Sequence, residues 1–159
     1  MDIYELLNEI IPSDEKWLHS TKFTEDCFNT LNEKLDQELF ALFRNIASLG
    51  VSFEGNEIKF SPQFEYHDCR RTFSIDDLTE DDYKLLYALE FDKLPLLLQA
   101  RISLILWVQK KDYKMALKAA ACYHELFLVS FSSTNWSACY KFLSFSVKLS
   151  SQINSKDYP

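Results

Sequence analysis

The densest group of chemically capable side chains in this sequence is Tyr66, His67, Asp68, Cys69, Arg70 and Arg71. His67 and Cys69, two positions apart, could touch one metal ion, but zinc needs about four protein ligands in a structural site and about three in a catalytic one. His19, His124 and the remaining cysteines show no ligand spacing relative to that pair, so no metal is expected. Arg70 and Arg71 could receive a carboxylate or phosphate, because guanidinium forks bind such groups bidentately. With His67 and Arg101 they form a candidate ligand-binding set. The competing assignment pairs the arginines with Asp76, Asp77, Glu80, Asp81 and Asp82, as solvated surface charges commonly do.

Catalytic machinery is harder to find. There is no P-loop, no Gly-x-Ser-x-Gly elbow, no paired-histidine metal motif and no Arg-x4-His signature of the helical-bundle ribonucleases. Asp76, Asp77, Asp81 and Asp82 could hold magnesium, yet a run of acids at a helix start ordinarily complements the helix's positive pole. No catalytic residue and no cofactor are expected.

Something must position these groups, and composition narrows what. The 159 residues include 24 acidic and 17 basic side chains, a formal charge of −7, which disfavours a general nucleic-acid footprint. Only 2 glycines leave little room for a β-rich or phosphate-cradling design. The length suits one domain over 1–153 with a frayed tail at 154–159. Cys27, Cys69, Cys122 and Cys139 are scattered, which reads as reduced thiols and a cytoplasmic location. Without an apolar run behind a basic segment, neither secretion nor membrane insertion is expected.

The most informative stretch is Leu94–Phe131. From Leu96 to Val108 apolar residues point almost all round, the mark of a buried helix, and Trp107 belongs to its core face. The corner Lys110-Lys111-Asp112 ends that helix and lets Asp112 cap the next, whose Ala116, Ala119, Ala120, Tyr123 and Phe127 line an inner face.

Around this pair, an amphipathic helix spans about Asp2–Ile11 and stops at Pro12. A longer one carries Phe28, Leu31, Leu35, Leu39, Leu42, Ile46 and Leu49 and is closed by Gly50. Its heptad-like seam reads as an internal packing face rather than a dimer contact. The period then drops to 2, pairing Val51 and Phe53 with Ile58 and Phe60 across a Gly-Asn turn. Gln63–Phe73 reads as loop. Ser74-Ile-Asp-Asp77 and Thr79-Glu-Asp-Asp82 are capping-box patterns that start a helix with Leu85, Leu86 and Leu89 inside. In the last helix Trp136, Tyr140, Leu143 and Val147 form one stripe, widened by Phe142, Phe145 and Leu149 beyond what one packing neighbour needs. The fold class is a mainly α-helical bundle of about six helices with one small β-hairpin near 51–60.

Two resemblances attach to these residues. Tyr113 and Ala116 after the Lys-Lys-Asp corner resemble the helical hairpin corner of a tetratricopeptide repeat, although no second copy follows at a period near 34. The order RRTFSIDDLTEDDYKLLYAL, then LLLQARISLILWVQKKDYKMALKAAACYHELF, resembles an uncharacterised helical domain found at the N-terminal end of larger bacterial proteins. The matching positions are Leu98, Ala100, Arg101, Ile102, Leu106, Trp107, Asp112, Tyr113 and Tyr123, within about residues 62–127. Ser103 departs from it, standing where the resemblance implies an acidic residue. The family implies no activity.

The reading that follows is a non-enzymatic protein-interaction or scaffold module, the N-terminal domain or a short relative of a larger bacterial protein. Trp136, Tyr140, Phe142 and Phe145 are its candidate partner-binding residues, for a second copy or for a following domain. The alternatives are a small-ligand or anion-sensing domain using Arg70, Arg71 and Arg101, and a nucleic-acid- or nucleotide-directed enzyme.

Overall fold

The computed structural model describes residues 3–10, 37–47, 49–55, 57–62, 74–132 and 136–153. Among them are six α-helices and one two-stranded antiparallel hairpin, so the chain is mainly helical. The described residues divide into two compact units, with the boundary between Lys93 and Leu94.

In the first unit, helix α1 (Ile3–Ile10) buries Leu7 completely. Its polar residues tie it to the end of the unit. The Asn8 amide donates to the Lys93 carbonyl at 2.7 Å, the Glu90 N–H donates to the Tyr4 hydroxyl at 2.7 Å, and the Lys93 ammonium sits 5.9 Å from the centre of the Tyr4 ring. An eight-residue helix is too short to persist alone, so such distant contacts are what stabilise it.

Helix α2 (Gln37–Ala47) buries Leu42, Phe43 and Ile46. The earlier part of the long seam, before Gln37, lies outside the described residues. Gly50 does not close this helix. The helix ends at Ala47, and Gly50 sits within strand β1 (Leu49–Glu54), opposite Ser61 of strand β2 (Glu57–Pro62). Leu49 fits two periods, three residues past Ile46 on a helix and two before Val51 on a strand. Pairing with Pro62 across the hairpin resolves the ambiguity in favour of the strand.

The hairpin register matches the alternation read from sequence, with Val51 opposite Phe60 and Phe53 opposite Ile58. Gly55 in the turn has φ +63°, a left-handed conformation that a side chain would strain.

Both capping boxes form. Ser74 caps a short 3-10 turn (Ile75–Asp77), where the Asp77 carboxylate accepts from the Ser74 N–H at 3.0 Å. Thr79 caps α3 (Glu80–Ala88). Its hydroxyl accepts from the Asp82 N–H at 3.1 Å, and the Asp82 carboxylate accepts from the Thr79 N–H at 2.9 Å. Tyr83 and Leu86 face inward, while Leu85 and Leu89 are only half-buried. A 3-10 turn at Phe91–Lys93 completes the unit.

The second unit comprises helices α4 (Leu96–Lys110), α5 (Tyr113–Ser132) and α6 (Trp136–Ile153), with α5 packed against both neighbours. In α4 every residue from Ala100 to Trp107 is buried, as an all-round apolar helix requires. Ser103 is among them, and its hydroxyl donates to the helix's own carbonyls of Gln99 (2.7 Å) and Ala100 (3.0 Å). A carboxylate here would be a buried charge, which is the physical reason a serine suits this chain.

The corner is sharper than two cations and a cap imply. Lys111 adopts φ 55°, ψ 34°, and the Asp112 N–H reaches back to the Leu106 carbonyl at 3.4 Å. The Asp112 carbonyl then accepts from Met115 and Ala116 and opens α5. Ala116 and Ala119 are fully buried, and small residues of this kind let helix axes approach closely. Trp107 is buried as expected, and its ring N–H donates to Gln152 of α6 at 3.3 Å.

Candidate functional site

Of the ligand-binding residues read from sequence, His67, Arg70 and Arg71 lie outside the described residues. Arg101 does not reach a surface. It is 6% exposed in α4, with its side chain hydrogen-bonded to the Tyr123 hydroxyl of α5. Burial pushes the guanidinium below its ordinary pKa, and the Tyr123 oxygen partly offsets that. The same burial pushes the Tyr123 phenol up to about 12, against the opposing pull of Arg101. Arg101 is therefore an interior packing group, and an anion in solvent cannot reach its fork.

The acids near the start of α3 are equally well explained by local structure. Asp77 and Asp82 turn back onto the N–H groups of their own caps. An open cleft of about 640 Å³ lies beside them in the first unit, lined by Leu42 and Asn45 of α2 and by Asp81, Lys84 and Leu85 of α3. Among the described residues no group of three histidine, cysteine or acidic side chains is placed to share a metal ion.

Helix α6 is where a surface forms. Successive residues on a helix turn by about 100°, so Trp136, Tyr140, Leu143 and Val147, at steps of 4, 3 and 4, share one face. Cys139, Phe142, Phe145, Leu149 and Ile153 share another. The structure buries the second set and exposes the first. Trp136 is 61% exposed and Tyr140 79%, against 1% for Phe142 and 8% for Phe145.

This corrects half of the expected partner face. Phe142 and Phe145 are core residues because they meet Tyr123 of α5, Phe145 stacking at 5.2 Å between ring centres and Phe142 lying at 6.2 Å. Inward positions of α6 are further held by the Ser146 hydroxyl, which donates to the Ala120 carbonyl at 3.3 Å. What remains outside is the stripe from Trp136 to Val147.

The stripe continues past its own helix. Phe131, exposed at the end of α5, meets Trp136 edge-on at 5.5 Å, and Phe127 lies 6.2 Å behind Phe131. Leu128 and Val129 are exposed on the same last turns of α5. Sequence reading missed this extension. Its signal was the step of four to Phe131 from Phe127, which was expected on the inner face and is only half-buried, out of phase with the buried series Ala119, Cys122, Leu126 and Ser130. Contiguous exposed apolar patches larger than a few hundred Å² are unusual on soluble monomers unless they bind something.

Charge is distributed unevenly as well. Residues 1–93 contain 21 acidic and 9 basic side chains, whereas residues 94–159 contain 3 and 8. Helix α6 has Lys141 and Lys148 and no acidic residue. Among the described residues no helix is long and apolar enough to cross a membrane.

A family model described as Domain of unknown function (DUF7380) matches residues 4–158, so the chain belongs to that family. Neither the curated proteins nor the solved structures contain a match to it.

Proposed function

We propose that this member of the DUF7380 family is a non-enzymatic protein-interaction module whose binding face is the stripe Trp136, Tyr140, Leu143 and Val147. One observation carries the reading: α6 has two apolar faces, and the core of its unit uses only one of them. An isolated exposed leucine needs no explanation, but a tryptophan, a tyrosine, a leucine and a valine aligned over three turns do. Aromatic residues of this kind are enriched among the anchors that dominate binding energy at interfaces. The anion-sensing alternative loses Arg101 to the interior and rests on Arg70 and Arg71 alone. The scattered spacing of the four cysteines keeps a reducing compartment such as the cytoplasm as the expected location.

Site-specific photocrosslinking in cells tests this reading. A photoreactive phenylalanine analogue at Tyr140 should yield a discrete protein adduct that is lost when Val147→Glu is added, and the same analogue at Lys84 should not. Adducts equally abundant at both positions, or absent from Tyr140, would remove the stripe as a binding face.

A further inference from the structure

Resting on that binding face, we infer that the occupant of the α6 stripe is a second copy of this chain, paired two-fold and antiparallel with Trp136 of each copy against Val147 of the other. Trp136, Tyr140, Leu143 and Val147 follow one another at steps of 4, 3 and 4, the spacing of a coiled-coil seam, and those steps read the same from either end. Reversing one copy therefore sets Trp136 opposite Val147 and Tyr140 opposite Leu143, with the two-fold axis at the level of residues 141 and 142. The order of side chains favours this pairing. The two aromatic rings occupy the first half of the seam and the two aliphatic chains the second, so antiparallel helices face large against small at every layer, as interdigitating cores require. A parallel pair would set ring on ring at one end and leave Leu143 and Val147 short of contact at the other. The antiparallel pair also brings Phe131, which adjoins Trp136, toward the second copy's Ser150 and Ser151, exposed side chains small enough to make room for a ring.

The exposed area matches what a stable pair needs. At roughly 200 Å² for a whole aromatic side chain and about half that for an aliphatic one, the exposed parts of Phe131, Trp136, Tyr140, Leu143 and Val147 come to about 500 Å² of apolar surface. Homodimer interfaces are about 65% apolar, so that much apolar surface belongs to an interface close to the roughly 800 Å² per partner of a standard specific contact. The seam carries no charge of its own. Lys141 and Lys148, the charged residues of α6, stand about a third of a turn round the helix from its centre, so pairing along the seam does not press the lysines of the two copies together. Every residue of the seam belongs to the second unit.

The test uses the full chain in sedimentation velocity. It should sediment as a dimer at about 100 µM and as a monomer below about 1 µM, and Tyr140→Glu should raise the dissociation constant by about tenfold or more. Charge complementation then reads the register. Trp136→Lys and Val147→Glu should each be monomeric alone at about 100 µM, and an equal mixture should recover a dimer. Antiparallel pairing joins the new lysine to the new glutamate at one end and keeps Trp136 against Val147 at the other. Recovery in the mixture also shows that both variants are folded, and circular dichroism checks Tyr140→Glu. A mixture of Trp136→Lys with Tyr140→Glu should stay monomeric, and recovery there as well would overturn the register. A dimer that Tyr140→Glu leaves intact, or one whose two charge variants fail to complement, would overturn the antiparallel pairing. In the Tyr140 crosslink, an adduct of twice the chain's mass supports the inference. If the chain instead stays monomeric at every concentration, or the adduct holds only a different protein, the second copy is overturned and the binding face is judged by that crosslink alone. Binding of the monomer to phosphatidylserine vesicles that Tyr140→Glu abolishes would overturn it in favour of a membrane.

Discussion

The Arg101 guanidinium of α4 donates to the Tyr123 hydroxyl of α5, and both groups are buried. A residue that looked like a ligand anchor is part of the contact between two core helices.

That contact predicts a pH dependence. Burial raises the Tyr123 phenol from 10.0 to about 12, so the folded state holds its proton more tightly than the unfolded chain. The resulting stabilisation is complete below pH about 10 and is lost as pH rises through about 12, up to roughly 3 kcal/mol in all. The Tyr123 phenol should titrate late by ultraviolet absorbance, and Tyr123→Phe should remove that late step. The same variant removes one hydrogen-bond acceptor from a buried cation and should cost about 1.5–3 kcal/mol at neutral pH, measured by urea unfolding.

Lys111 holds a left-handed backbone at the corner between α4 and α5, a conformation that glycine adopts without steric cost. Lys111→Gly should therefore be stabilising or neutral, by about 0 to 1 kcal/mol, even though it removes a cation from a helix end. A loss of more than that in thermal unfolding would mean that the lysine side chain itself matters there.

Thr79 and Asp82 satisfy each other's N–H groups at the start of α3. Thr79→Ala should cost about 1 kcal/mol and Thr79→Ser much less, since the serine hydroxyl can accept the same bond. Equal losses for the two variants would indicate that the methyl group, and not the cap, is what counts.

The two faces of α6 should respond differently to truncation. Phe142→Ala removes a fully buried ring that meets Tyr123 and should cost about 3–5 kcal/mol. Tyr140→Ala, at a site that the core does not use, should change stability by less than about 0.5 kcal/mol. Comparable losses at the two sites in denaturant unfolding would contradict the assignment of the faces.

Local patterns carried much of this structure. The capping boxes at Ser74 and Thr79, the pairing of Val51 with Phe60 and of Phe53 with Ile58, the corner after Lys110 and the all-round burial of α4 each depend on residues close together in the chain. Propensity, turn chemistry and hydrophobic period act over such distances, so the sequence by itself determined these features. Three things were decided only by tertiary structure. Leu49 left the helix for a strand because Pro62 and its neighbours offered a ladder to pair with. Arg101 lies inside because α4 is buried on every side there, and the Tyr123 hydroxyl, 22 positions on, stands beside it. Helix α6 carried two apolar stripes of similar strength, and its own periodicity could not rank them. Tyr123 of α5 lies against Phe142 and Phe145, so that stripe went inside and left Trp136 and Tyr140 in water.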